Sequence, residues 1–199
     1  MRSYKIELFK FLKAPVRLDV FFLVVFLFLD IKMAISLFLS ILVHEMAHAW
    51  VANSKGYKVY GIDIGLLIGS ASIQANINQR DSIPITFAGP LSNILLALLS
   101  FIISLFYDSN NFLYSFFIIN ILLFIFNILP IYPMDGGVIL RDILMLNMNR
   151  RVGKRIADKV SLVTSIIVLV VSLYLGFIIL SLFSAYFIYT SYNELKNGK

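Results

Sequence analysis

Met33-Ala-Ile-Ser-Leu-Phe-Leu-Ser-Ile-Leu-Val-His44-Glu45-Met-Ala-His48-Ala-Trp-Val-Ala52 is an apolar run with three ionisable side chains set into it. A helix needs roughly 20 residues to cross a hydrocarbon core of about 30 Å, and this run supplies them. Residues four apart lie on one helical face, so the imidazoles of His44 and His48 can reach one metal ion. Glu45, three residues before His48, projects near that face and can act on a water instead of binding the metal. A five-residue pattern also arises by chance, and a histidine inside a membrane is often only packed or hydrogen-bonded. Two facts favour chemistry. These are the only two histidines of the chain. A carboxylate within an apolar run is costly unless it is paired or lies in a wet cavity.

The rest of the chain fits a membrane setting. Of its 199 residues, 60% are hydrophobic and 14% charged, and the mean hydropathy is +0.89. A soluble domain carries about 25% charged residues. The expectation is an α-helical membrane protein forming one domain over residues 1–199, with nothing soluble before or after it. Five further apolar segments join Met33–Ala52. They are Leu18–Leu29, about Ser82 to Tyr107, about Phe112 to Leu129, and the uncharged Ser161–Tyr192 divided in two near Gly176. Undivided, that last stretch would be a helix of about 48 Å, longer than the bilayer core. The six-span reading therefore stands beside a five-span one with a long tilted final helix. Basic residues precede Val20–Leu29 as in a signal peptide, but no small-residue cleavage site follows, so the segment reads as a retained anchor.

Charge placement tests the count. Six spans put 16 of the 17 basic residues on one side, with only Lys32 opposite. The positive-inside rule then makes both termini cytosolic in a multi-pass protein of the cell membrane. The net charge of +6 is thus spent on topology, and no nucleic-acid partner is expected. The absence of cysteine excludes disulfides and thiolate metal sites. Between spans two and three, over Lys58–Asn78, apolar and polar residues alternate around Gly61, Gly65 and Gly69, which predicts strands, as hairpins. They form either a surface hairpin or an edge that pairs with a substrate.

Two histidines leave a catalytic zinc one ligand short, since such sites use three protein ligands and an open position. The best third ligand is Asp135 in Asn127-Ile-Leu-Pro130-Ile-Tyr-Pro133-Met-Asp135-Gly136-Gly137. Pro130 and Pro133 cannot continue a helix, and the glycines tolerate unusual backbone angles. Span four is therefore expected to unwind there and let Asp135 turn back toward the metal. The bland alternative is a helix stop with an exposed turn aspartate. The charge-derived topology places His44, His48 and Asp135 at similar depth on the cytosolic side.

The pattern His44-Glu45-x-x-His48 on span two, with Asn127-x-x-Pro130-x-x-Pro133-x-Asp135-Gly136 after span four, resembles the site-2 protease family of intramembrane metalloproteases. Ala88-Gly89-Pro90-Leu91-Ser92-Asn93 at the start of span three is similar to that family as well, and the likeness covers roughly residues 1–195. The resemblance implies one zinc per chain on His44, His48 and Asp135, with Glu45 as catalytic base. It also implies a membrane-associated β-hairpin region and substrates that are transmembrane segments. Ala47 stands where members usually carry glycine, Ser70 falls in a usual Gly-Gly pair, and Val138 replaces a frequent basic residue. None of these removes a ligand or the base. PDZ and CBS domains, which many members carry, are not expected.

Asn127 is the candidate oxyanion donor, with a helix-packing amide as the equal alternative. Two readings compete with proteolysis. A metal transporter would need several acidic or histidine positions along a pathway, and Glu45 is the one acid within a span. An inactive membrane chaperone would carry a damaged base or ligand, and His44, Glu45, His48 and Asp135 are all present.

Overall fold

The computed structural model describes residues 4–65, 69–106 and 111–197. Among the described residues four strands and seven helices follow one another: β1 (Lys5–Phe11), β2 (Ala14–Asp19), a 3₁₀ turn (Val20–Val24), α1 (Val25–Phe28), α2 (Ile31–Ser54), β3 (Val59–Ile64), β4 (Ser70–Ile73), α3 (Gln79–Ser104), α4 (Asn111–Ile128), α5 (Asp135–Asn147), α6 (Arg150–Tyr174) and α7 (Ile178–Asn197). The chain divides into two compact units, Met1–Ile77 with Ala88–Ile125 and Asn78–Phe87 with Phe126–Lys199.

In the first unit the strands form one sheet in the order β1-β2-β3-β4. β1 and β2 pair antiparallel across Leu12 and Lys13, both at positive φ (50° and 67°). That is the backbone a two-residue hairpin of matching twist requires, here adopted without glycine or asparagine. β2 and β3 pair parallel, with α2 as the crossover between them. β3 and β4 pair antiparallel. Leu66, Leu67 and Ile68, within the alternating stretch, lie outside the described residues.

Asp30 caps α2 by accepting from the backbone N–H of Lys32 at 2.8 Å, satisfying one of the orphan donors of the first turn. Val16 and Leu18 of β2, Ile62 and Ile64 of β3, and Phe22 form one buried cluster with Ala34 and Ala49 of α2. Ala34 and Ala49 are about 22 Å apart along a helix axis. The sheet and the Phe22 turn therefore lie along the flank of α2 instead of capping its end.

The first apolar segment, Leu18–Leu29, requires a correction. It contains the end of β2, a 3₁₀ turn and the single turn of α1. The nine helical residues reach about 16 Å, half of a hydrocarbon core. Among the described residues, α2, α3 and α6 are long and apolar enough to cross a membrane, with Phe112–Ile128 a shorter apolar helix. Among the described residues three helices therefore meet the length and hydropathy of a span, against the six expected.

In the second unit α6 and α7 form an antiparallel hairpin, joined through Gly176 at φ 77°. The Ser161–Tyr192 stretch is thus two helices. Lipid chains are as apolar as leucine, so helices in a bilayer cohere by close packing and hydrogen bonds. Ser161, Ser165 and Ser172 of α6 and Ser181, Ser184 and Ser191 of α7 are all buried. The Ser161 and Ser191 hydroxyls meet at 2.6 Å, and those of Ser172 and Ser181 at 2.9 Å. At the other end Arg141 of α5 joins the pair, bonding Asp158 of α6 at 2.6 Å and Glu194 of α7 at 3.1 Å.

Candidate functional site

His44, Glu45 and His48 sit on α2 with relative exposures of 5%, 6% and 8%. The two imidazoles are nearly perpendicular, with ring centroids 4.7 Å apart, and their Nε2 atoms face each other at 3.0 Å. A proton shared between them gives that separation. Two nitrogens on one tetrahedral zinc, each about 2.0–2.1 Å from the ion, come to about 3.3 Å and fit it nearly as well.

Gly89 of α3 packs against these two rings. A Cβ there would overlap His48 Nε2 and His44 Cε1. The absence of a Cβ lets the α3 backbone lie directly against both imidazole edges, and imidazole nitrogen is a donor that zinc favours. The residues present therefore fit a zinc ion. Gly69, just before β4, makes the matching approach to Glu45. A Cβ on it would overlap the Glu45 carboxylate, so the residue entering β4 lies directly against that side chain.

On its far side His44 is held by Asn93 of α3, whose Oδ1 lies 2.5 Å from His44 Nδ1. Asn93 is fully buried and bonds Asn120 of α4 at 2.9 Å. The sequence reading quoted Asn93 only for its family likeness and missed Asn120 and Ser40. Both had a legible signal, since each is a polar residue set in a long apolar run.

Asp135 and Asn127 belong to the second unit. α4 ends at Ile128, with Asn127 in its last turn, and α5 starts at Asp135, which lies partly buried at the positive end of that helix. A Cβ on Gly136 would meet the carbonyls of Ile128 and Leu129, and one on Gly137 the backbone of Ile131 and Tyr132. The start of α5 is therefore folded tightly against the end of α4, which only glycine permits at both positions. Ser161 Oγ accepts from Tyr132 N–H at 2.9 Å, and the Arg141 guanidinium stacks 3.8 Å over the Tyr132 ring. The loop that delivers Asp135 is thus tied to α5 and α6.

Comparison with known proteins gives this geometry a context. The model of peptidase family M50 matches residues 32–111 and 105–172. A zinc metalloprotease of Methanocaldococcus jannaschii is 32% identical over 98% of this chain and 61% of its own length. The stage IV sporulation protein FB of Bacillus subtilis is 26% identical over 68% of this chain and 46% of that protein. The chain therefore spans less than two thirds of the length of these relatives. Among solved structures, the site-2 protease from Methanocaldococcus jannaschii superposes with a TM-score of 0.73 at 31% identity, covering 96% of this chain and 95% of that one.

Proposed function

The chain belongs to peptidase family M50, the site-2 protease family of membrane zinc metalloproteases, and from that premise we propose that it is an intramembrane endopeptidase cutting transmembrane segments of other proteins. The observation that carries the reading is the buried His44–His48 pair, its Nε2 atoms 3.0 Å apart, with Glu45 beside it and the Gly89 backbone packed against both rings.

Zinc would be held by His44 Nε2, His48 Nε2 and the Asp135 carboxylate. The third assignment rests on donor count, on the family motif around Asp135 and on the glycines that fix that residue at the head of α5. When bound, zinc acidifies water and polarises the scissile carbonyl. Glu45 accepts the proton of the attacking water and returns it to the leaving amine. Asn127 is the amide proposed to stabilise the oxyanion.

A transmembrane helix hides its carbonyls in internal hydrogen bonds, so it must unwind to be cut. β4 is an edge strand, and the residue before it abuts Glu45. An unwound substrate segment pairing with that edge would be held extended close to the base. Both termini are proposed to be cytosolic, with the cell membrane as the location.

Purified protein in detergent tests the reading. Elemental analysis should give one zinc per chain, with sharp losses in His44→Ala, His48→Ala and Asp135→Ala. Cleavage of a reconstituted single-span substrate should stop with chelator and return with zinc. Full zinc in the Asp135 variant would remove that residue from the ligand set.

A further inference from the structure

We propose that Asn120, acting through Asn93, is a positioning residue that sets the tautomer of His44 and keeps its Nε2 unprotonated for zinc. This rests on the reading of His44 as a ligand.

The four side chains of the chain of contacts are buried. His44 is 5% exposed, and Asn93, Asn120 and Ser40 are 0% exposed. Starting from α4, one end of the Asn120 amide lies 2.8 Å from the Phe116 carbonyl and 2.8 Å from Ser40 Oγ. A carbonyl only accepts, so that end of Asn120 is its NH₂. Ser40 in turn gives its hydroxyl proton to the Ser36 carbonyl at 2.7 Å, leaving its lone pairs to accept from Asn120. The other end of Asn120 must then be Oδ1, which faces Asn93 at 2.9 Å and requires the Asn93 NH₂ there. Asn93 therefore turns Oδ1 toward His44, 2.5 Å from Nδ1. An amide oxygen cannot donate, so His44 Nδ1 must carry the proton. In the neutral imidazole the second nitrogen, Nε2, is then unprotonated.

The direction of the whole chain is fixed by two backbone carbonyls that cannot be reversed. Flipping either amide would set oxygen against oxygen in a buried site, at the cost of an unpaired polar group. Asn93 alone could face His44 with either end. Asn120 removes that choice. Outer partners of a metal-bound histidine orient the ring and fix its tautomer, and their loss typically weakens metal binding by roughly 10–100-fold.

The two histidines are the only ones in the chain, so ¹⁵N-histidine labelling reports both rings of the full-length, zinc-free protein. The expected spectrum in neutral form has one imidazole, absent in His44→Ala, protonated at Nδ1. Asn120→Ala should give a mixture of tautomers and roughly 10–100-fold weaker zinc in competition with graded chelators. In Asn93→Asp/Asn120→Ala the carboxylate accepts from Nδ1–H without help, so zinc affinity should recover even though the protein stays less heat-stable. A purely structural amide would lower thermal stability and leave tautomer and affinity unchanged, and that result overturns the proposal. Wild-type His44 protonated at Nε2 overturns it as well, whether or not the variants fold. Full zinc in His44→Ala would instead sink the ligand assignment on which it rests.

Discussion

The Gly89 backbone of α3 faces the His48 imidazole so closely that a single added methyl would overlap Nε2. Inside a helix, alanine is normally better than glycine by about 1 kcal/mol. At this position the ordinary gain is set against a collision with both imidazoles. Gly89→Ala is therefore expected to keep its helical circular dichroism and lose most of its zinc, as a ligand variant would. A Gly89→Ala protein carrying one zinc per chain would show that this close approach does not hold the imidazoles in place for zinc.

Arg141 holds three helices and the Tyr132 loop. Asp158, its partner at 2.6 Å, is 2% exposed, so Arg141→Met leaves a carboxylate buried without its counter-charge. Breaking such a pair costs about 3–5 kcal/mol. The variant should unfold at markedly lower temperature in detergent and bind zinc more weakly through the loosened loop before Asp135. At Glu194 the hydrogen bond from Lys154 pulls the carboxyl below its ordinary value. A lowered folded-state value stabilises above the unfolded carboxylate range and is lost as pH falls through it. Partly exposed, that pair contributes about 1 kcal/mol or less. Glu194→Gln should therefore cost slight stability at neutral pH and none in strong acid. Thermal melts of both variants across pH check the ranking, and an Arg141→Met melt within a degree of wild type would contradict it.

The meeting of His44 and His48 on one buried helix face was more legible than the scaffold. His44 and His48 at helical spacing, in a run with no other reason for charge, needed no tertiary information. The α6–α7 turn was readable too, because an uncharged stretch that long exceeds a bilayer and contains Gly176. β1 and β2 were not read. Ile6 and Leu8 alternate with Lys5 and Glu7, but the turn between the strands is Leu12-Lys13, which carries none of the usual turn chemistry. Leu18–Leu29 misled for a related reason. Hydropathy counts apolar residues whatever shape they take, and here they form a strand end, a 3₁₀ turn and one helical turn, of which Leu18 and Phe22 are buried against α2. The Asn93–Asn120 contact joins residues far apart in sequence, which periodicity cannot pair.

The α6–α7 hairpin yields a topology prediction that does not depend on the total number of spans. α6 and α7 form a hairpin, so the basic start of α6, Arg150–Lys159, and the end of α7 at Lys196 emerge on the same side. The positive-inside rule makes that side cytosolic. Reporter fusions within Arg150–Lys159 and after Lys199 should both read cytosolic. Opposite readings at the two sites would mean that the hairpin does not persist in the bilayer.

Glu45→Gln should separate binding from chemistry. The carboxylate is 6% exposed, next to His44 and three residues before His48, and it is packed against Gly69. The amide has nearly the same shape, so the contact with Gly69 and the zinc content should be retained. On the proposed mechanism, what disappears is the ability to take a proton from water and return it to the leaving amine. Loss of a general base typically costs roughly 10²–10⁴-fold in rate, and here one group serves both transfers, so the loss should lie at or beyond the upper end. The expected outcome is a folded, zinc-loaded protein that still binds a reconstituted single-span substrate and does not cut it. Near-wild-type cleavage by the glutamine variant would point to another base. Loss of zinc as complete as in His44→Ala would mean that Glu45 is itself a ligand.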